Sequence, residues 1–150
     1  MATESLYETD FYSWTQEQAR LLRIGNMSML DMDNMLEEIE AMGRSEKRNL
    51  VSRLSVLLAH LIKWRYQPDR KGRSWRLTIA HQRIAVDKLL KESPGLKSML
   101  GEKTAEAWRD AVREAEIETG INRKIFPKEC PWSFEEFMDE GFWPDPEPAP

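Results

Sequence analysis

The sequence predicts an all-α fold, a compact bundle of about five helices plus a short C-terminal helix. Three observations carry this. Apolar residues recur at three- and four-residue spacing in one segment after another, glycines and prolines punctuate those segments, and no stretch alternates with period two between turn signals. At 150 residues the chain is long enough to bury one core without staples. A single α-helical domain over 1–143 is therefore expected, followed by a disordered, Pro-rich acidic tail at 144–150.

Asp10 is placed to cap the first long helix, along which Phe11, Trp14, Gln18, Leu21 and Leu22 follow at helical spacing to a stop at Gly25. A second helix opens near Asp31 with apolar positions Met32, Met35, Leu36, Ile39 and Met42, and Gly43 is expected to end it. Ser45 then caps a third, running to about Tyr66, with one stripe of Leu50, Leu54, Leu57, Leu58 and Leu61 and a second of Val56, His60 and Trp64. A helix with two apolar stripes contacts neighbours on two sides, which makes this the expected central helix. Gln67-Pro68 ends it, because the residue before proline is pushed out of helical geometry.

Ser74 is expected to cap a fourth helix, with Trp75, Ile79, Val86, Leu89 and Leu90 on one side, Leu77, His81 and Ile84 on another, and Pro94-Gly95 beyond its end. A fifth starts near Thr104, carries Ala105, Trp108, Val112 and Ala115 inward, and stops at Gly120. Ser133 and Glu136 form a capping box that opens a last short helix, ended by Gly141.

Composition narrows the function classes. With 41% hydrophobic and 32% charged residues, the chain is neither a disordered nor a membrane protein. The apolar run Val56–Ile62 is interrupted by His60 and far too short to cross a bilayer. The acidic N-terminus lacks the basic and apolar regions of a secretory signal, so a cytoplasmic location is expected. One cysteine, Cys130, permits no intrachain disulfide or thiolate zinc site, and two histidines argue against a multi-histidine centre. No cofactor is called for and no metal site is expected. Six Trp and eight Met are generous for this length and suit both cores and adaptable contact surfaces.

The overall charge of −4 conceals a segmental pattern of −7 over 1–43, +10 over 44–91 and −7 over 92–150. Three groups of residues follow as candidate sites. The polar set Glu37, Glu38, Glu40, Arg44, His60, Lys63, Gln82 and Arg83 reads either as an ion network or as a site. Within it, Gln82 and Arg83 are expected to hydrogen-bond to the acids of the second helix, and Glu37, Glu38 and His60 supply ligand types for a divalent metal. The basic, aromatic set Trp64, Tyr66, Arg70, Lys71, Arg73, Trp75 and Arg76 has the chemistry of a phosphate- and base-binding surface, or else is neutralised by the acidic flanks. The C-terminal set Phe134, Phe137, Met138, Phe142 and Trp143 is read first as a lid docked on the bundle and second as a partner-binding motif.

The blocks YETDFYSWTQEQARLLRIG at 7–25, EEIEAMGRSEKRNLVSRLSVLLAHLIKWRYQP at 37–68 and RSWRLTIAHQRIAVDKLL at 73–90 resemble the bacterial family known as domain of unknown function 29. CPWSFEEFMDEGFWP resembles the family's C-terminal end more loosely. The resemblance implies a helical bundle and no reaction chemistry. It marks Glu37, Glu38, Glu40, Arg44, His60, Lys63, Trp64, Arg73, Trp75, Gln82 and Arg83 as the matching motif positions.

With no nucleophile elbow, phosphate loop or cofactor fingerprint, the sequence is read as a non-enzymatic helical module. It is expected to act through protein–protein contact, self-association or regulation. Nucleic-acid binding through 44–91 is the alternative, and a metal-assisted hydrolase a further one.

Overall fold

A computed structural model describes residues 5–146. Among them it contains six α-helices and no strand: α1 (Leu6–Thr9), α2 (Phe11–Ile24), α3 (Met32–Tyr66), α4 (Arg73–Glu92), α5 (Leu100–Thr119) and α6 (Phe134–Met138). None is long and apolar enough to cross a membrane. The chain divides into two compact units, the first ending at Ser45 and the second beginning at Glu46, with α3 running through the division.

In the first unit Asp10 caps α2 as expected, accepting from the Ser13 backbone N–H at 3.0 Å. Gly25 ends α2 with φ +75°, a left-handed conformation that costs glycine little and lets its N–H reach the last carbonyls. Trp14, Gln18 and Leu21 turn inward with Leu30, whereas Phe11 and Leu22, expected beside them, are exposed.

The break expected at Gly43 is absent, and Ser45 caps nothing: α3 runs unbroken for 35 residues. A helical glycine costs only about 1 kcal/mol relative to alanine, whereas ending the helix would leave several backbone donors and acceptors to satisfy on each side.

The second unit is built on the α3 stripe. Leu50, Leu54, Leu57, Leu58 and Leu61 are all fully buried, joined by Ile62, by Ile79 and Val86 from α4, and by Trp108 from α5. Ala107, Ala111 and Ala115, at four-residue spacing on α5, are fully buried too and allow close helix approach. Three boundary and register expectations are corrected. α4 starts at Arg73 behind Gly72 with no side-chain cap, so Ser74 already lies inside the first turn. A 3₁₀ segment, Pro94–Met99, leads directly into α5 at Leu100 rather than near Thr104. On α5 the buried face is shifted, so Ala105 is exposed and Ala107 and Ala111 take the inner positions. Gly120 ends α5 with φ +73°. The Ser133–Glu136 capping box forms, but α6 stops at Met138, before Gly141. Pro144 is buried, so the expected disorder does not begin there, and residues 147–150 of that tail lie outside the described residues.

Candidate functional site

In the first unit a small polar lattice holds α2 against α3. Asp31 accepts from the Trp14 indole N–H at 2.9 Å and from the Asn34 side chain at 2.8 Å, and its own backbone N–H donates to Gln18 at 2.8 Å. The Asn34 and Trp14 bonds hold the Asp31 carboxyl below its ordinary pKa. Tyr7 donates its hydroxyl to Glu38 at 2.5 Å, a bond that pushes the phenol up to about 12. Tyr7, Phe11 and Trp14 make mutual ring contacts with centroids 4.9 to 5.8 Å apart.

These contacts occupy one side of α3 and leave another open. Met32, Leu36, Ile39 and Met42 are each 57 to 62% exposed. At about 100° per residue the four fall within roughly 120° of the circumference, forming one apolar stripe. Asp33, Glu37 and Glu40 border it on the side away from α2, with Arg44 bonded to Glu37 at 3.4 Å. Leu22, Ile24, Met27 and Met29 are likewise exposed. Scattered single apolar side chains on a surface need no explanation, but these gather into one uncovered apolar face of the first unit.

In the second unit Arg83 is the most constrained cation. Only 5% exposed, it donates through Nε to the Phe137 carbonyl at 2.9 Å and through Nη2 to that of Phe142 at 2.7 Å, with Nη1 3.5 Å from that of Glu140. The bonds to the second-helix acids expected of Arg83 are therefore not how it is satisfied. Its planar fork matches carbonyls left free where α6 ends. Burial depresses the Arg83 pKa, with Asp139 and Glu140 opposing the effect. Gln82 buries its Oε1 with no hydrogen-bond partner among the described residues.

The same guanidinium sits 5.3 Å from the Trp143 ring, which packs on Trp64 at 4.5 Å. Lys71 and Arg76 lie over Trp64 at 4.9 and 5.6 Å. This explains two of the candidate sets at once. The C-terminal aromatics dock on their own unit, with Phe137 fully buried and Phe134, Met138, Phe142 and Trp143 packed against the core. In the basic, aromatic set the Trp64 and Tyr66 rings are buried and Trp75 is half-buried, while Arg70, Arg73 and Arg76 are exposed cations.

Lys63, 6% exposed, pairs with Glu118 and lies 5.2 Å from the Trp75 ring. Burial opposes ionisation of Glu118, yet the Lys63 bond and charge outweigh it and hold this carboxyl below its usual range. His60 shares a 2.8 Å hydrogen bond with the Val56 carbonyl, and burial lowers its pKa, so the ring is neutral at pH 7. A groove of about 500 Å³ runs beside them between α3 and α5. One wall carries Glu106, Asp110, Glu114 and Glu118 at four-residue spacing, a period readable in the sequence but submerged there in the mixed charges of α5. Among the described residues no three His, Cys, Asp or Glu side chains are placed to hold a metal ion, so Glu37, Glu38 and His60 form no metal cluster. Cys130 donates to the Trp132 carbonyl at 3.3 Å, and burial raises its pKa, the opposite of thiolate activation.

No curated protein and no solved structure matches the chain. A match to one family extends over residues 6–143, nearly the whole of both units: the chain belongs to the family Domain of unknown function DUF29.

Proposed function

We propose that this chain is a protein-interaction module, not an enzyme, and that its contact surface is the apolar face of the first unit. The exposed stripe Met32, Leu36, Ile39 and Met42 carries the reading. Flexible methionines adapt to partner shape, and a row of carboxylates along the edge favours a cationic partner. A bacterial, cytoplasmic setting belongs to the same proposal; a single cysteine, which permits no intrachain disulfide, suits the cytoplasmic part of it.

A labelled helical peptide of leucine and lysine, with its leucines at i, i+3, i+4 and i+7, tests the surface by fluorescence anisotropy. Binding is expected, weakened by salt, and weakened about tenfold or more by Leu36→Glu with Ile39→Glu. Equal binding by that double variant, or no binding by the native chain at a dilution where it is monomeric, overturns the proposal. Nucleic-acid binding through 44–91 is the weaker reading. Exposed Arg70, Arg73 and Arg76 support it, but of the rings it called on Trp64 and Tyr66 are buried and only Trp75 is half-exposed.

A further inference from the structure

The first unit's face has a complement elsewhere in the chain. On α4, Leu77 and Ile84 are 48 and 65% exposed, a second outward apolar stripe with Ala80 between them. Leu77 and Ile84 are seven residues apart, as are Met32 and Ile39 on α3, so the two stripes share one heptad spacing over two helical turns. Their borders differ in sign. The α3 stripe has Asp33, Glu37 and Glu40 with Arg44 as the single base among them, whereas the α4 stripe has Arg73 and Arg76 at one end and Lys88 and Lys91 at the other. Asp87 and Glu92 offset part of that charge through ion pairs with Lys91 at 2.8 Å and Lys88 at 3.9 Å, leaving the two arginines to set the sign. Beside Ile84 a groove of about 790 Å³ opens between α4 and α6, floored by Leu90, Phe134, Met138 and Trp143, with Lys97 on its rim. It offers room for a methionine from a helix laid along α4.

Pairing the α3 stripe with its own copy would bring together two borders that each hold Asp33, Glu37 and Glu40 against Arg44 alone. Pairing it with α4 sets acids against arginines and lysines while burying apolar side chains on both. We propose that the occupant of the first unit's face is a second copy of this chain, the α4 stripe of one copy seated on the α3 stripe of another. This rests on the first unit's face being a contact surface and adds what covers it.

Sedimentation equilibrium of the full chain from about 1 to about 200 µM tests this. Species of twice the 17.6 kDa chain mass or more are expected, dissociating with dilution and with added salt. Two double variants, Leu36→Glu with Ile39→Glu and Leu77→Glu with Ile84→Glu, should each be monomeric while keeping native helicity by circular dichroism. All four residues are exposed, so neither variant disturbs a core. Mixed one to one, the two variants should form a heterodimer, because one retains an intact α4 stripe and the other an intact α3 stripe. A mixture that stays monomeric, or a Leu77→Glu/Ile84→Glu variant that dimerises like the native chain, overturns the proposal. A native chain that is monomeric throughout also overturns it. If that monomer still binds the leucine–lysine peptide through Leu36 and Ile39, the contact surface stands and only its occupant is wrong.

Discussion

Replacing Arg83 by methionine removes the guanidinium that holds the C-terminal segment while filling most of its volume. Its bonds to Phe137 and Phe142, at 2.9 and 2.7 Å, are charge-assisted, and the contact to Glu140, at 3.5 Å, is at the limit of hydrogen bonding. Each good bond from a charged donor contributes about 1.5–3 kcal/mol net. Removing a cation that is only 5% exposed returns part of its desolvation cost. The balance is a destabilisation of about 2–4 kcal/mol, equivalent to roughly 6–12 °C in Tm for a chain of this size. Urea denaturation followed by tryptophan fluorescence measures it, since Trp64 and Trp143 pack together beside Arg83. Arg83→Lys should recover part of the loss, because one ammonium keeps the charge but cannot span Phe137 and Phe142 in the same fork. Amide exchange over 137–143 should quicken in Arg83→Met ahead of the α3 leucine stripe. A variant within about 0.5 kcal/mol of the native chain would refute the argument that this side chain anchors the segment.

Three further outcomes follow from particular residues. Gly43→Ala should stabilise the chain by about 0.5–1 kcal/mol by urea melts, since a Cβ there meets nothing within 4 Å; a helix that ended at Gly43 would lose stability instead. Burial holds the His60 pKa below its ordinary 6.5, so the unfolded chain takes up that proton first and stability falls as pH drops through and below 6.5. In His60→Asn the difference in urea midpoint between pH 7.5 and pH 5 should shrink, and an unchanged difference would contradict a buried neutral ring. Tyr7, raised to about 12 by its bond to Glu38, should give a late phase in the tyrosinate absorbance titration. Glu38→Gln should move that phase to lower pH. Because this pKa is raised, the contribution of the bond is complete below pH 10 and lost as pH climbs through 12.

Local signals in the sequence carried well into the structure. The Asp10 cap, the left-handed stops at Gly25 and Gly120, the Ser133–Glu136 capping box and the α3 leucine stripe each depend on a few neighbouring residues, and each forms. Features decided by tertiary context did not. Gly43 looks like a stop only until the cost of breaking a 35-residue helix is weighed against one glycine. Arg83 looks like an ion-pair donor because sequence shows charges and conceals which carbonyls a chain end leaves free. The most consequential gap concerns Met32, Leu36, Ile39 and Met42. Periodicity shows that a helix has an apolar face and says nothing of what covers it, so a contact surface and a core stripe read alike.

The proposed contact role of that stripe is tested most directly by its own methionines. In a chain carrying ¹³C-methyl methionine, Met32 and Met42 report on the exposed face, and Met99, packed against the second unit's core, serves as reference. On titration with the leucine–lysine peptide, the Met32 and Met42 methyl signals should shift saturably while Met99 stays fixed. Leu36→Glu with Ile39→Glu should abolish the shifts. Signals from Met32 and Met42 that stay in place while the peptide binds would contradict the assignment of the first unit's apolar face as the contact surface.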